Sequence, residues 1–195
     1  MPPFVGLTGG IGAGKSTALA ALERLGAQVL STDAVVHELY ATDEVRDAVV
    51  ERFGAEVAPG GVVDRGVLAR RAFATQEDRA WLEQLLWPRV GARVWEWRER
   101  VAAMDPAPPA GVVETPLLFE AGMDGAYDAT IAVVADERVR SERAAARGHH
   151  AVDERTARQL SQQEKAQRAT YVVLNDGSVE QLEAKLSSIL GMLNA

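Results

Sequence analysis

The chain has 195 residues, 47% of them hydrophobic and 25% charged, which is the composition of one globular domain with room for an inserted subdomain. With no cysteine it excludes a disulfide scaffold, a thiolate metal centre and a cysteine nucleophile, and its three histidines are too few for a histidine-rich metal cage. The formal net charge of −7 argues against nucleic acid as a partner, and no apolar run reaches the length of a membrane span. Without a signal-peptide pattern at the amino terminus, a cytoplasmic protein is expected.

Phe4-Val5-Gly6-Leu7-Thr8 is a short apolar run stopped by glycines and reads as a buried first strand. A helix from about Gly14 to Leu25 follows, with Leu19, Leu22 and Leu25 on its apolar face and Gly26 at its end. Ala27 to Leu30 reads as a second strand, and Ser31-Thr32-Asp33 breaks it and starts another helix. From Thr42 to Met104 the pattern is helical and rich in arginine, with Trp81, Trp87, Trp95 and Trp97 expected in its core. Asp105-Pro106-Ala107-Pro108-Pro109 closes that block as a linker. Gly111–Glu114, Thr130–Val134 and Tyr171–Leu174 read as the third, fourth and fifth strands, and the remainder from Asp136 to Asn194 as helices with a break at Gly148-His149-His150.

Strands that alternate with helices imply right-handed crossovers and a parallel sheet, so the fold class is α/β: a three-layer arrangement around five parallel strands. Residues 1–41 and 111–195 form the expected core, with a lid at about 147–165. Residues 42–110 form an inserted helical region, expected at the carboxyl edge of the sheet, where open α/β folds bind ligands.

The segment from Gly9 to Ser16 fits the pattern Gly-x-x-x-x-Gly-Lys-Ser/Thr at every fixed position, between a strand and a helix. Glycines allow the positive φ that turns successive N–H groups onto one phosphate, and the helix amino terminus adds partial positive charge. Lys15 is placed to reach the β- and γ-phosphates, and the Ser16 hydroxyl to ligate Mg²⁺. A dinucleotide-binding glycine pattern fails, because Lys15 stands where its third glycine would be.

None of the three lysines lies in an Asn/Thr-Lys-x-Asp base-recognition motif of the GTPase kind, and the chain is short for a motor or transporter, which leaves a small-molecule kinase. Asp33, just after the second strand, is either a helix cap or the base that takes the acceptor proton. Arg140, Arg143 and Arg147 share one helix face, either as a cationic wall over a triphosphate or as a solvated face paired with Glu137 and Glu142. Pro116-Leu117-Leu118-Phe119-Glu120, after the third strand, lines an acceptor site or belongs to the core. A nucleoside or nucleotide kinase and a non-catalytic nucleotide-binding regulator stay open on these grounds.

Leu7 to Thr17, taken with Asp33, Pro116–Glu120, Arg143, Arg147, Arg155, Gln159, Lys165, Asn175 and Gly177, resembles the dephospho-CoA kinases over nearly the whole chain. The resemblance implies transfer of the ATP γ-phosphoryl group to the ribose 3′-hydroxyl of dephospho-CoA, the last step of coenzyme A synthesis, with Mg²⁺ as cofactor. It implies that Gly12, Ala13, Gly14, Lys15, Ser16 and Thr17 hold the ATP phosphates and that Asn175 lies near the adenine. Asp33 would be the general base, Arg143 and Arg147 would face the phosphates, and Thr8, Asp33, Pro116, Leu117 and Leu118 would meet the acceptor. The inserted block would bind the coenzyme A portion. The chain departs from the family pattern at Trp87 (commonly His), at Thr170 (commonly Asp) and at Leu174 (often Asp).

Overall fold

The computed structural model describes residues 1–146 and 159–195. Arg147, His149, His150 and Arg155 lie outside the described residues, as does most of the 147–165 segment expected to form the lid. By spatial grouping the chain forms two compact units, Met1–Ser31 with Arg98–Ala195, and Thr32–Trp97.

The first unit is built on five strands: β1 (Phe4–Gly9), β2 (Gln28–Ser31), β3 (Gly111–Glu114), β4 (Ala129–Val134) and β5 (Tyr171–Leu174). They pair in the order β2-β3-β1-β4-β5, and every pairing is parallel. All six residues of β1 are buried, as a central strand covered on both faces requires. The order reverses at β1, whose neighbours β3 and β4 lie on opposite sides of it. Such a switch point opens a crevice at the carboxyl end of the strand, where the phosphate loop begins.

The side-chain alternation of the strands decides what each face covers. Val5, Leu7, Val112, Ile131, Val133 and Val173 share one face with the helices α1 (Lys15–Arg24) and α8 (Val179–Leu193), which contribute Ala18, Ala21, Leu22, Leu182, Leu186 and Ile189. Burying each such leucine or isoleucine is worth about 1.5–3 kcal/mol. On the other face, Gly6 has no side chain because Leu118 and the Tyr127 ring occupy the space a Cβ would need. β5 is an edge strand, with Val172 and Leu174 about half exposed.

The second unit contains α2 (Thr32–Tyr40), α3 (Asp43–Phe53), α4 (Arg65–Ala72) and most of α5 (Gln76–Ala102), a single helix that runs through Pro88. Thr42 caps α3 by accepting from the Val45 N–H, and Asp64 caps α4 by accepting from Gly66 and Val67. Its core holds Val35, Leu39, Val45, Val49, Leu68, Leu82 and Leu86. Trp81 packs edge-on against Phe53, with ring centroids 5.5 Å apart. The expectation that all four tryptophans are core fails for Trp87 and Trp95, which are 55% and 58% exposed. They are eight residues apart, so they share one face of α5, and that face is not the one the core covers. The two remaining described helices, α6 (Glu137–Ala146) and α7 (Gln162–Arg168), belong to the first unit.

Candidate active site

The loop between β1 and α1 is shaped by two glycines with positive φ, Gly12 at 74° and Gly14 at 93°. A Cβ on Gly12 would lie 2.5 Å from the Arg140 carbonyl oxygen, and one on Gly14 would collide with the Asn175 amide. Gly14 is also the N-cap of α1, so no side chain caps the helix, and its first turn carries no acidic residue. The positive end of the dipole therefore meets no acidic side chain within the first turn, the arrangement that favours an anion. Lys15 Nζ donates to the carbonyls of Gly9 and Gly10 at 3.1 and 3.3 Å, which keeps the ammonium against the loop. Ser16 and Thr17 occupy the first turn of α1, and Ser16 is exposed. Ala13 is fully buried, and its N–H donates to Gly10.

Residues from the far half of the chain brace this loop. The Arg140 guanidinium donates through Nε to the Ile11 carbonyl at 2.9 Å and is paired with Glu137 at 2.6 Å. Arg143 donates to the Asn175 carbonyl at 3.0 Å, and the Asn175 amide donates to the Ala13 carbonyl at 2.9 Å. Asn175 is 4% exposed, and its own N–H donates to Val134, extending the pairing of β4 and β5 past Leu174. Of the two readings of the arginine face, the pairing with Glu137 and Glu142 is realised in part. Arg140 pairs with Glu137 while bracing the loop, Arg138 pairs with Glu142 in solvent, and Arg143 turns to Asn175.

On the β3 side of β1, Thr8 is fully buried, and its hydroxyl donates to the Pro116 carbonyl at 3.2 Å. Residues 116–122 form a tight turn closed by Ala121 N–H to Leu117 and Met123 N–H to Leu118. Leu117 is 40% exposed, whereas Leu118 is buried against Gly6. Of the two leucines, Leu117 is thus the one whose side chain is open to solvent. Asp33 stands exposed in the first turn of α2, in the second unit, two residues after β2 ends.

Several contacts were not apparent from the sequence. Lys165, on α7, is fully buried, bonded to Pro116 and paired with Glu120 at 2.9 Å. Burial pushes the Lys165 ammonium below its ordinary pKa, and Glu120 opposes that shift. The Gln162 amide both accepts from the Ala135 N–H at 3.1 Å and donates to the Ala135 carbonyl at 2.8 Å, as a further strand would. No local pattern announces these partners, which are tens of residues apart.

The loop between β1 and α1 lies at the sheet's switch point, where open α/β folds bind ligands, and is braced from the segments that follow β4 and β5. The family model for dephospho-CoA kinase matches residues 3–181. The chain belongs to the dephospho-CoA kinase family. The dephospho-CoA kinase of Deinococcus radiodurans is 40% identical over 98% of this chain and 93% of its own. A solved protein of Thermus thermophilus, TT1252, superposes with a TM-score of 0.81 at 36% identity, covering 100% of this chain and 99% of its own. Dephospho-CoA kinase from Campylobacter jejuni shares the fold, with a TM-score of 0.71 at 21% identity, covering 99% of this chain and 98% of its own. As a dephospho-CoA kinase, the protein transfers the ATP γ-phosphoryl group to the ribose 3′-hydroxyl of dephospho-CoA, the final step of coenzyme A biosynthesis. Among the described residues no helix is long and apolar enough to cross a membrane.

Proposed function

We propose that the residues of the phosphate loop and its braces perform this transfer in the following way. Residues 12–17 hold the ATP phosphates through loop and helix N–H groups, and Lys15 moves from the loop carbonyls to the phosphoryl oxygens. The supporting observation is the uncapped, acid-free start of α1 beside a lysine that already lies against the loop. Asp33 orients the 3′-hydroxyl and accepts its proton, while Arg143 and Arg147 stabilise charge on the equatorial oxygens. Thr8, Pro116 and Leu117, with Leu118 as the buried anchor of their turn, form the acceptor side. The helical region 42–110 receives the coenzyme A portion, the segment 147–165 excludes water, and the enzyme works in the cytoplasm.

The donor chemistry suits Mg²⁺: Ser16 is an exposed hydroxyl oxygen next to Lys15, and a hard cation takes such an oxygen together with phosphate oxygens. When bound, the ion would be held by Ser16 and would neutralise phosphate charge. A coupled ADP-release assay with dephospho-CoA, nucleosides and nucleoside monophosphates tests the acceptor choice. Turnover is expected on dephospho-CoA alone, and a comparable rate on a nucleoside monophosphate would overturn it. In the same assay Lys15→Ala is expected to reduce turnover to near background, and retained turnover would remove Lys15 from the transfer.

A further inference from the structure

Lys165 has no place in the chemistry above, yet it is fully buried in α7. Its ammonium is bonded to two points of one turn, the Pro116 carbonyl at the start and the Glu120 carboxylate four residues later. The same Pro116 carbonyl accepts from Thr8 on β1, and the same Glu120 oxygen, Oε1, accepts from the Leu160 N–H at 2.8 Å. The other carboxylate oxygen, Oε2, is buried with no hydrogen-bond partner among the described residues. A buried ion pair with an unsatisfied oxygen is a poor stabiliser compared with well-packed apolar side chains of similar volume. What the pair does provide is directional hold on a turn whose Leu117 faces solvent.

We propose that Lys165 is a positioning residue for the acceptor: by bonding Pro116 and Glu120 it holds the turn 116–120 in the one conformation that dephospho-CoA meets. This rests on the reading that the turn contacts the acceptor. The chain just before α7 is tied to the same carboxylate through Leu160, so the start of α7 and the acceptor turn are held as one unit. Burial pushes the lysine pKa down and the neighbouring carboxylate opposes this.

Three variants of the full chain decide it, each assayed for kcat, for KM of both substrates and for thermal midpoint. Lys165→Met is expected to lower the midpoint and to raise KM for dephospho-CoA about tenfold, the scale of a lost charge-assisted hydrogen bond, with KM for ATP within about twofold. The double variant Lys165→Met with Glu120→Leu removes the buried charge altogether and is expected to recover the midpoint while KM for dephospho-CoA stays high. Recovery of that KM together with the midpoint would show a merely structural pair and overturn the proposal. An equal rise in both KM values would do the same, as would a double variant that does not fold. Leu117→Ala separates the underlying reading from this one. If it leaves KM for dephospho-CoA unchanged, the turn does not meet the acceptor and both readings fall. If it raises that KM while the double variant behaves as wild type, only the role of Lys165 falls.

Discussion

The side-chain amide of Asn175 donates to the backbone carbonyl of Ala13 at 2.9 Å, fastening the end of β5 to the phosphate loop across 162 positions of sequence. Arg143 in turn holds the Asn175 carbonyl, so a helix after β4, the end of β5 and the loop after β1 form one chain of hydrogen bonds. Asn175→Ala would leave the Ala13 carbonyl buried without this donor, a loss of about 1–3 kcal/mol. A lower urea midpoint and a raised KM for ATP are expected, with KM for dephospho-CoA little changed. Equilibrium unfolding and steady-state kinetics check both.

Gly14 and Gly91 make a contrasting pair. Gly14 has φ +93°, and a Cβ there would strike the Asn175 amide, so Gly14→Ala is expected to cost more than about 1 kcal/mol and to weaken ATP binding. Gly91 lies within α5, and beyond its own helix backbone no described residue comes within 4 Å of the place a methyl group would take, so Gly91→Ala should add about 0.5–1 kcal/mol. Thermal unfolding of both variants, with ATP titration of the first, tests the contrast.

Asp33 lies exposed at the start of α2, and its proposed task is proton acceptance from the ribose hydroxyl. Asp33→Asn is expected to lower kcat by about two or more powers of ten while the Kd for ATP holds, because the amide keeps the shape and loses the base. Single-turnover kinetics beside a nucleotide-binding titration measure the two quantities. Wild-type turnover would remove Asp33 from the catalytic role.

Glu164 accepts from both the hydroxyl and the backbone N–H of Ser161 at 2.8 Å, and its own N–H donates back to the Ser161 hydroxyl at 3.2 Å, which completes the capping box of α7. The Ser161 hydroxyl and N–H, with Arg168 nearby, hold its carboxyl below the ordinary value, while burial acts in the opposite direction. Since the folded value lies below the unfolded one, the contribution to α7 is complete above about pH 4.3 and is lost as pH falls through the folded value. A side-chain NMR titration should find Glu164 ionising below the usual glutamate range. In Ser161→Ala its midpoint should move back up.

The phosphate loop was readable because its chemistry is contiguous: glycine dihedrals, one lysine and one hydroxyl over eight positions prescribe their own geometry. The strands were readable for a related reason. Short apolar runs bounded by turn residues mark buried parallel strands whatever they pair with, and the observed bounds of β1, β2 and β4 differ from the expected ones by one residue. The family was recognisable from its ordered set of motifs. The exposure of Trp87 and Trp95 was not, because ring size says how much area is worth burying and nothing about which face of a long helix finds a cover.

The amino-acid order alone therefore determined the strand, glycine-rich loop and helix at the start of the chain and the α/β class, since these depend on local backbone preferences, while the reaction was legible only through the resemblance to a known family. Only the tertiary structure decided that Asn175 braces Ala13, that Arg140 braces Ile11, and that Lys165 joins Pro116 to Glu120. Those partners meet because parallel register and helix docking carry distant segments to one edge of the sheet, and a hydrogen bond depends on positions within a few tenths of an ångström that no spacing along the chain encodes.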